Sequence, residues 1–225
     1  MAARAAPSAD RRTTGRPGTV ADLIDKLGGI PPDRIRLTPP PGTATEADLA
    51  AAGKPTCELV DGTLVEKPMG SEEAFLGARL LRLIGNTVEA DGLGVVLGGD
   101  GHIRLGKGRV RAPDVTFIPW DSFPDGEFPD EAFWTVAPGL VVEVLSPTNT
   151  PTEIARKRAE LFAAGCKLAW VIDPPTRTAK VYTSARRAKD LDAAGVLDGG
   201  RVLPGFALPL AELFAPPARP KRKGR

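Results

Sequence analysis

The 225-residue chain carries one histidine, His102, and two cysteines, Cys57 and Cys166. A single imidazole excludes a zinc centre built on several histidines and argues against a serine–histidine–aspartate triad. The two thiols stand alone, without metal-ligand spacing, and imply no oxidising compartment. No apolar run approaches the roughly 18–20 residues of a membrane span. The N-terminal stretch lacks the apolar core of a secretory signal. Walker and GxGxxG phosphate loops are missing as well, so nucleotide binding through them is unsupported. These absences lead to the expectation of a soluble, cytoplasmic protein with no membrane partner.

Charge is unevenly spread. The net charge is +2, but residues 1–18 contribute +3 and residues 216–225 contribute +5, which leaves about −6 on the body. Basic tails of this kind add salt-sensitive attraction to nucleic acid or simply solubilise. The acidic body does not advertise a nucleic-acid surface. The expected organisation is a disordered basic tail over 1–18, a helical extension over 19–54, one domain over 55–215 and a second disordered basic tail over 216–225.

Within the body, Val20 to Gly28 and Thr43 to Gly53 read as short helices closed by glycine. Cys57 to Lys67 reads as a hairpin, because Asp61-Gly62 supplies a two-residue turn needing positive φ between apolar runs. Ser71 is the expected cap of a long helix to about Ala90, with Leu76, Leu80, Ile84 and Val88 on one face. Glu73 falls at the rim of that buried stripe, whereas Glu72 is turned about 100° away. Strands are expected over Leu93–Leu97, His102–Leu105, Arg109–Ile118 and Leu140–Leu145. Thr150-Pro-Thr-Glu153 is a capping box opening a helix to Ala164. Hairpins follow over Lys167–Thr183 and Val196–Leu203. The order of elements predicts an α+β (α/β) fold, a mixed sheet flanked by helices with peripheral β-hairpins.

The most informative feature is a pair of acids inside apolar strands. Glu143 interrupts Leu140-Val-Val-Glu-Val-Leu145, and Asp114 enters Val115-Thr-Phe-Ile118. A buried ionised carboxylate needs a cation, a metal or a proton. Two such acids are a seat for a hard divalent ion, because magnesium takes one or two carboxylates plus water and phosphate oxygens. Alternatively, each acid caps a strand end or pairs with Arg109, Arg111 or Lys157. Lys157 lies within the stripe of Ile154, Leu161 and Phe162, so its ammonium is aimed either at the Glu143 strand or along the helix at Glu153.

Pro113-Asp114-Val115, Val142-Glu143-Val144-Leu145-Ser146-Pro147, Lys157, Ala163-Ala-Gly165, Trp170-Val-Ile-Asp-Pro174, Glu58-Leu-Val-Asp-Gly62 and Pro68 together resemble the Uma family of endonucleases with the restriction-endonuclease-like fold. The resemblance covers roughly Cys57 to Thr183. In the wider fold the second strand carries an acid, any residue and then lysine; here Leu145 takes the lysine position, and Lys157 resembles a lysine migrated to the helix. Glu73 matches a helix position where members place histidine or an acid.

The resemblance implies a metal-dependent endonuclease hydrolysing DNA phosphodiester bonds. Asp114, Glu143 and Glu73 would be metal ligands, Lys157 a catalytic cation, and Mg²⁺ (or Mn²⁺) the cofactor. Two other functions remain open: a catalytically silent module binding nucleic acid or protein on the same fold, and a metal-dependent hydrolase of some other substrate. DNA as substrate and cutting of both strands lead to the expectation of a homodimer, with the aromatic segment Phe123 to Trp134 as its contact surface.

Overall fold

A computed structural model describes residues 18–217 apart from Met69. The tails expected to be disordered lie almost wholly outside these residues. The chain opens with α1 (Val20–Leu27), held by a Thr19–Asp22 capping box and closed at Gly28 with φ 88°. α2 (Glu46–Ala51) follows, capped in the same way by Thr45 and Asp48. β1 (Cys57–Val60) and β2 (Thr63–Glu66) form the expected hairpin, with Asp61 and Gly62 both at positive φ. Leu27, Ile30 and Ile35 pack with Val60 and Val65, so the segment after α1 is sealed onto this hairpin.

α3 (Ser71–Ala90) buries Leu76, Gly77, Leu80, Ile84 and Val88, the face set by the apolar spacing. Its cap is Gly70 rather than Ser71, which is the first helical residue, and no side chain caps this end. β3 (Gly94–Gly98) and β4 (Ile103–Gly106) come next. The run expected as one strand over Arg109–Ile118 is two: β5 (Arg109–Arg111) and β6 (Val115–Pro119), in different sheets. The break falls at Ala112-Pro113-Asp114. Pro113 has no N–H for a ladder, and the chain crosses between sheets at this point.

The four-stranded sheet runs β2-β1-β5-β4. The six-stranded sheet also uses β7 (Leu140–Val144), β8 (Leu168–Asp173), β9 (Thr178–Tyr182) and β10 (Ala188–Leu191), in the order β10-β9-β8-β7-β6-β3. Only β7 and β8 are parallel, joined by α4 (Pro151–Ala163) as crossover helix. The last expected hairpin is displaced. β11 (Val196–Asp198) pairs with β12 (Ala207–Pro209), not with Arg201–Leu203, which lies in the intervening turns. The short α5 (Leu210–Leu213) ends the fold.

Alternation along the central strands assigns the two faces of the larger sheet. Leu140, Val142, Val144, Val115 and Phe117 join α3 and α5 residues in one core. Val141 and Ile118 join Leu161 of α4 and Phe123 in the other. Glu143 shares the parity of Val141 and so points toward α4. Residues 120–137 form the irregular excursion that the sequence implies, but Phe123 and Phe133 are buried in the chain's own core. Within the expected contact segment Phe123 to Trp134, Phe128 (55% exposed) presents substantial aromatic surface, and Trp120 (39%) lies just before that segment.

Thr150 caps α4 and also donates from Oγ1 to Gly28 O at 3.0 Å, tying the crossover helix to the end of α1. Thr150→Ala should therefore lower stability by about 1 kcal/mol or somewhat more. Urea titration would read this as a lower midpoint at unchanged slope, and an unchanged midpoint would contradict it.

Candidate active site

β6 and β7 are antiparallel, and Val115 opposite Val142 ends their paired register. Asp114 follows just past this end, its Cβ beside Gly77 of α3, and its carboxylate is near enough to Glu143 to repel it. The main chain fixes this arrangement: Asp114 N–H donates to Val142 O at 3.0 Å, and Val144 N–H donates to Asp114 Oδ2 at 2.7 Å. Both acids line a narrow cleft with a cavity of about 20 Å³, together with Arg34, Glu58, Lys67, Asn149, Glu153 and Lys157.

Lys157 reaches the strand rather than its own helix. Its Nζ lies 2.7 Å from Glu143 Oε1 and 2.7 Å from Glu58 Oε1, with the side chain only 6% exposed. Glu153, the alternative partner, is taken by a two-pronged Arg34 guanidinium at 2.9 and 2.7 Å. Neither arginine considered from the sequence pairs with the two acids. Arg109 bonds Asp61, and Arg111 bonds Glu58 and Glu160. The partner of Asp114 is Lys67, whose Nζ lies 2.7 Å from Oδ1.

The face that α4 turns inward is thus charged. Glu153, Lys157 and Glu160 are its buried polar residues, at spacings of four and three that place them on one side of the helix. They meet Arg34, Glu58 and Arg111 from the other elements. A line of alternating charge runs from Glu143 through Lys157, Glu58, Arg111, Glu160, Arg156 and Asp61 to Arg109 at the surface. Glu58 also accepts the Ala112 N–H at 2.9 Å. Burial by itself would raise the Glu58 carboxyl, but Lys157, Arg111 and that amide outweigh it and hold the group far below the carboxylate range.

Glu143 behaves in the opposite way. Burial pushes its carboxyl from 4.5 up to about 7, with Asp114 adding repulsion, against the attraction of Lys157. Its Oε1 is sealed from solvent and has no hydrogen-bond partner. Its partner is the Lys157 ammonium, an ion pair at 2.7 Å. A buried carboxylate with a lone ammonium partner, beside a second carboxylate, suits a divalent cation. The donor set therefore fits one, although no group of three or more His, Cys, Asp or Glu residues gathers among the described residues.

Glu73 is not brought into this cleft. It is half-buried, lies against the Gly70 backbone, and lines a separate hollow with Gly77, Leu81 and Gly99 on the α3 side of Asp114. Lys67, Glu58 and Arg34 are the site residues that sequence reasoning passed over. Glu58 belongs to the Glu58-Leu-Val-Asp-Gly62 block, and its place in an apolar strand was its available signal. Lys67 ends a hairpin, where a lysine is ordinarily solvated. His102, for its part, lies apart from the cleft, with its ring nitrogens on the Cys57 and Asp100 carbonyls. Both cysteines are free and buried. Burial raises the Cys166 thiol to about 12, so it is not a nucleophile.

The Uma2 family model, described as "Putative restriction endonuclease", matches residues 46–211. The chain belongs to the Uma2 family. A solved structure from Anabaena variabilis, described as a putative nuclease belonging to DUF820, is 20% identical with a TM-score of 0.65. The match covers 72% of this chain and 91% of that one. That likeness establishes the mixed-sheet, restriction-endonuclease-like fold. No curated protein matches. Arg34 precedes the Uma2 match, so one wall of the cleft comes from outside it.

The raised Glu143 carboxyl gives a signed pH effect. Between 4.5 and about 7 the folded chain holds a proton that the unfolded chain releases. This group's contribution to stability is therefore lost as pH rises through that window. In EDTA, the melting temperature of wild type relative to Glu143→Gln should fall between about pH 5 and about pH 8. A difference that stays flat or rises would contradict the protonation assigned here.

Proposed function

We propose that this Uma2 chain is an endonuclease hydrolysing DNA phosphodiester bonds with Mg²⁺ or Mn²⁺ held by Asp114 and Glu143. The observation carrying this reading is that two carboxylates, Asp114 and the buried Glu143, line one polar cleft, each with a single ammonium as its ion-pair partner. When bound, such a cation supplies Lewis acidity to a scissile phosphate and acidifies water. Asp114 is aimed by the Val144 amide, and Glu143 is aimed by Lys157. Lys157 is itself held by Glu58, which keeps a fixed positive charge beside the charge that builds up on the phosphate. Glu73 serves as a third ligand in this reading only by leaving Gly70 and turning past Asp114.

A homodimer acting in the cytoplasm completes the proposal, with the aromatic segment Phe123 to Trp134 as its contact and Phe128 as the exposed ring within it. Its support is the two-fold economy of cutting two strands. Among the described residues no helix is long and apolar enough to cross a membrane.

A silent binding module is the second reading, and one observation favours it. Five acids (Glu58, Asp114, Glu143, Glu153, Glu160) already face five bases (Arg34, Lys67, Arg111, Arg156, Lys157) in and around the cleft. Cleavage of plasmid and single-stranded DNA in Mg²⁺ or Mn²⁺ separates the two. The nuclease reading expects wild-type cleavage, reduced at least about 10²-fold to 10³-fold by Asp114→Asn or Glu143→Gln. No wild-type cleavage of either substrate with either metal would leave the binding module standing.

A further inference from the structure

Lys67 is the second ammonium of the cleft, and its situation differs from that of Lys157. Lys157 touches two carboxylates, so it stays paired with Glu58 whatever Glu143 does. Lys67 touches one carboxylate, Asp114, and donates to Gly99 O at 3.2 Å as its other contact. Its side chain is only 6% exposed, and its backbone N–H is pinned to Thr56 O at 2.8 Å. Gly99 makes room for the ammonium: a Cβ there would lie 3.1 Å from Lys67 Nζ. Oδ2 of Asp114 accepts the Val144 amide, so Oδ1, with no main-chain partner, has more acceptor capacity to offer a cation. Lys67 stands on that oxygen.

We infer that Lys67 is an exchangeable internal counter-ion, which a divalent metal must displace from Asp114 Oδ1, and that it thereby sets the metal affinity of the cleft. The inference rests on the proposed Asp114–Glu143 metal site. Like charges cannot share one carboxylate oxygen closely without mutual repulsion. Metal entry therefore shifts the Lys67 ammonium off Asp114, while Gly99 O retains it at the cleft wall. The ammonium and the metal alternate on Asp114, and Lys157 remains the fixed charge.

Isothermal titration of Mn²⁺ alone into the full chain tests this. Removing the competing ammonium by Lys67→Met should tighten binding about tenfold or more. Lys107→Met, at an exposed lysine in the β4–β5 turn, should leave binding unchanged. Adding Asp114→Asn to Lys67→Met should abolish the gain. Since Lys67→Met strands the half-buried Asp114, its folding is checked by circular dichroism. A second measurement needs no variant: in ¹⁵N spectra of wild-type lysine ammonium groups, Mg²⁺ should move the Lys67 signal more than that of Lys157. Metal binding by wild type with no tightening in Lys67→Met, or with an unmoved Lys67 signal, would overturn the counter-ion role and leave the nuclease reading intact. If neither wild type nor Lys67→Met binds metal, both fall; binding by Lys67→Met alone supports the inference.

Discussion

The ammonium of Lys157, set between Glu58 and Glu143, is the contact on which the rest of the arrangement depends. Glu58 comes from the four-stranded sheet, Glu143 from the six-stranded sheet, and Lys157 from the crossover helix between β7 and β8. One buried charge therefore joins three layers. Isolated, any of these groups would be costly to remove from water, and breaking such a pair from one side costs about 3–5 kcal/mol. Here the cost is offset collectively, because Arg111 takes the other oxygen of Glu58 and Glu160 takes the rest of Arg111. Attraction from Glu143 and Glu58 outweighs burial and keeps Lys157 charged.

Satisfaction along that line is uneven, and the unevenness marks the site. Glu58 receives a lysine, an arginine and a main-chain amide. Glu143 receives Lys157 alone and carries a raised carboxyl. A purely structural network would gain from satisfying both ends equally. The deficit sits on the Glu143 side chain, which lines the cleft together with Asp114.

Periodicity and turn chemistry made most of the fold legible. The α3 stripe, the Asp61-Gly62 turn and the Thr150–Glu153 capping box each have a local cause that the structure repeats. The failures have local causes too. Arg109–Ile118 reads as one strand because both halves alternate correctly, whereas Pro113 hands the chain from one sheet to the other. Asp114, Glu143 and Lys157 were conspicuous as charges on apolar elements. Lys67 and Arg34 were not. Each leaves a hairpin end or a short turn and meets its acid, Asp114 or Glu153, from far along the chain, so only folding brings the charges together. Apolar patterning also misreads α4, whose inward face is built from ion pairs.

The central claim is that Asp114 and Glu143 share one divalent cation. Crystals grown with Mn²⁺ and measured for anomalous scattering test it most directly. The account predicts an anomalous peak bridging the two carboxylates, with ligand distances of about 2.2 Å or a little less, as for a hard oxygen-bound ion. A map with no peak at the cleft, and both carboxylates still on Lys67 and Lys157 in saturating Mn²⁺, would contradict it.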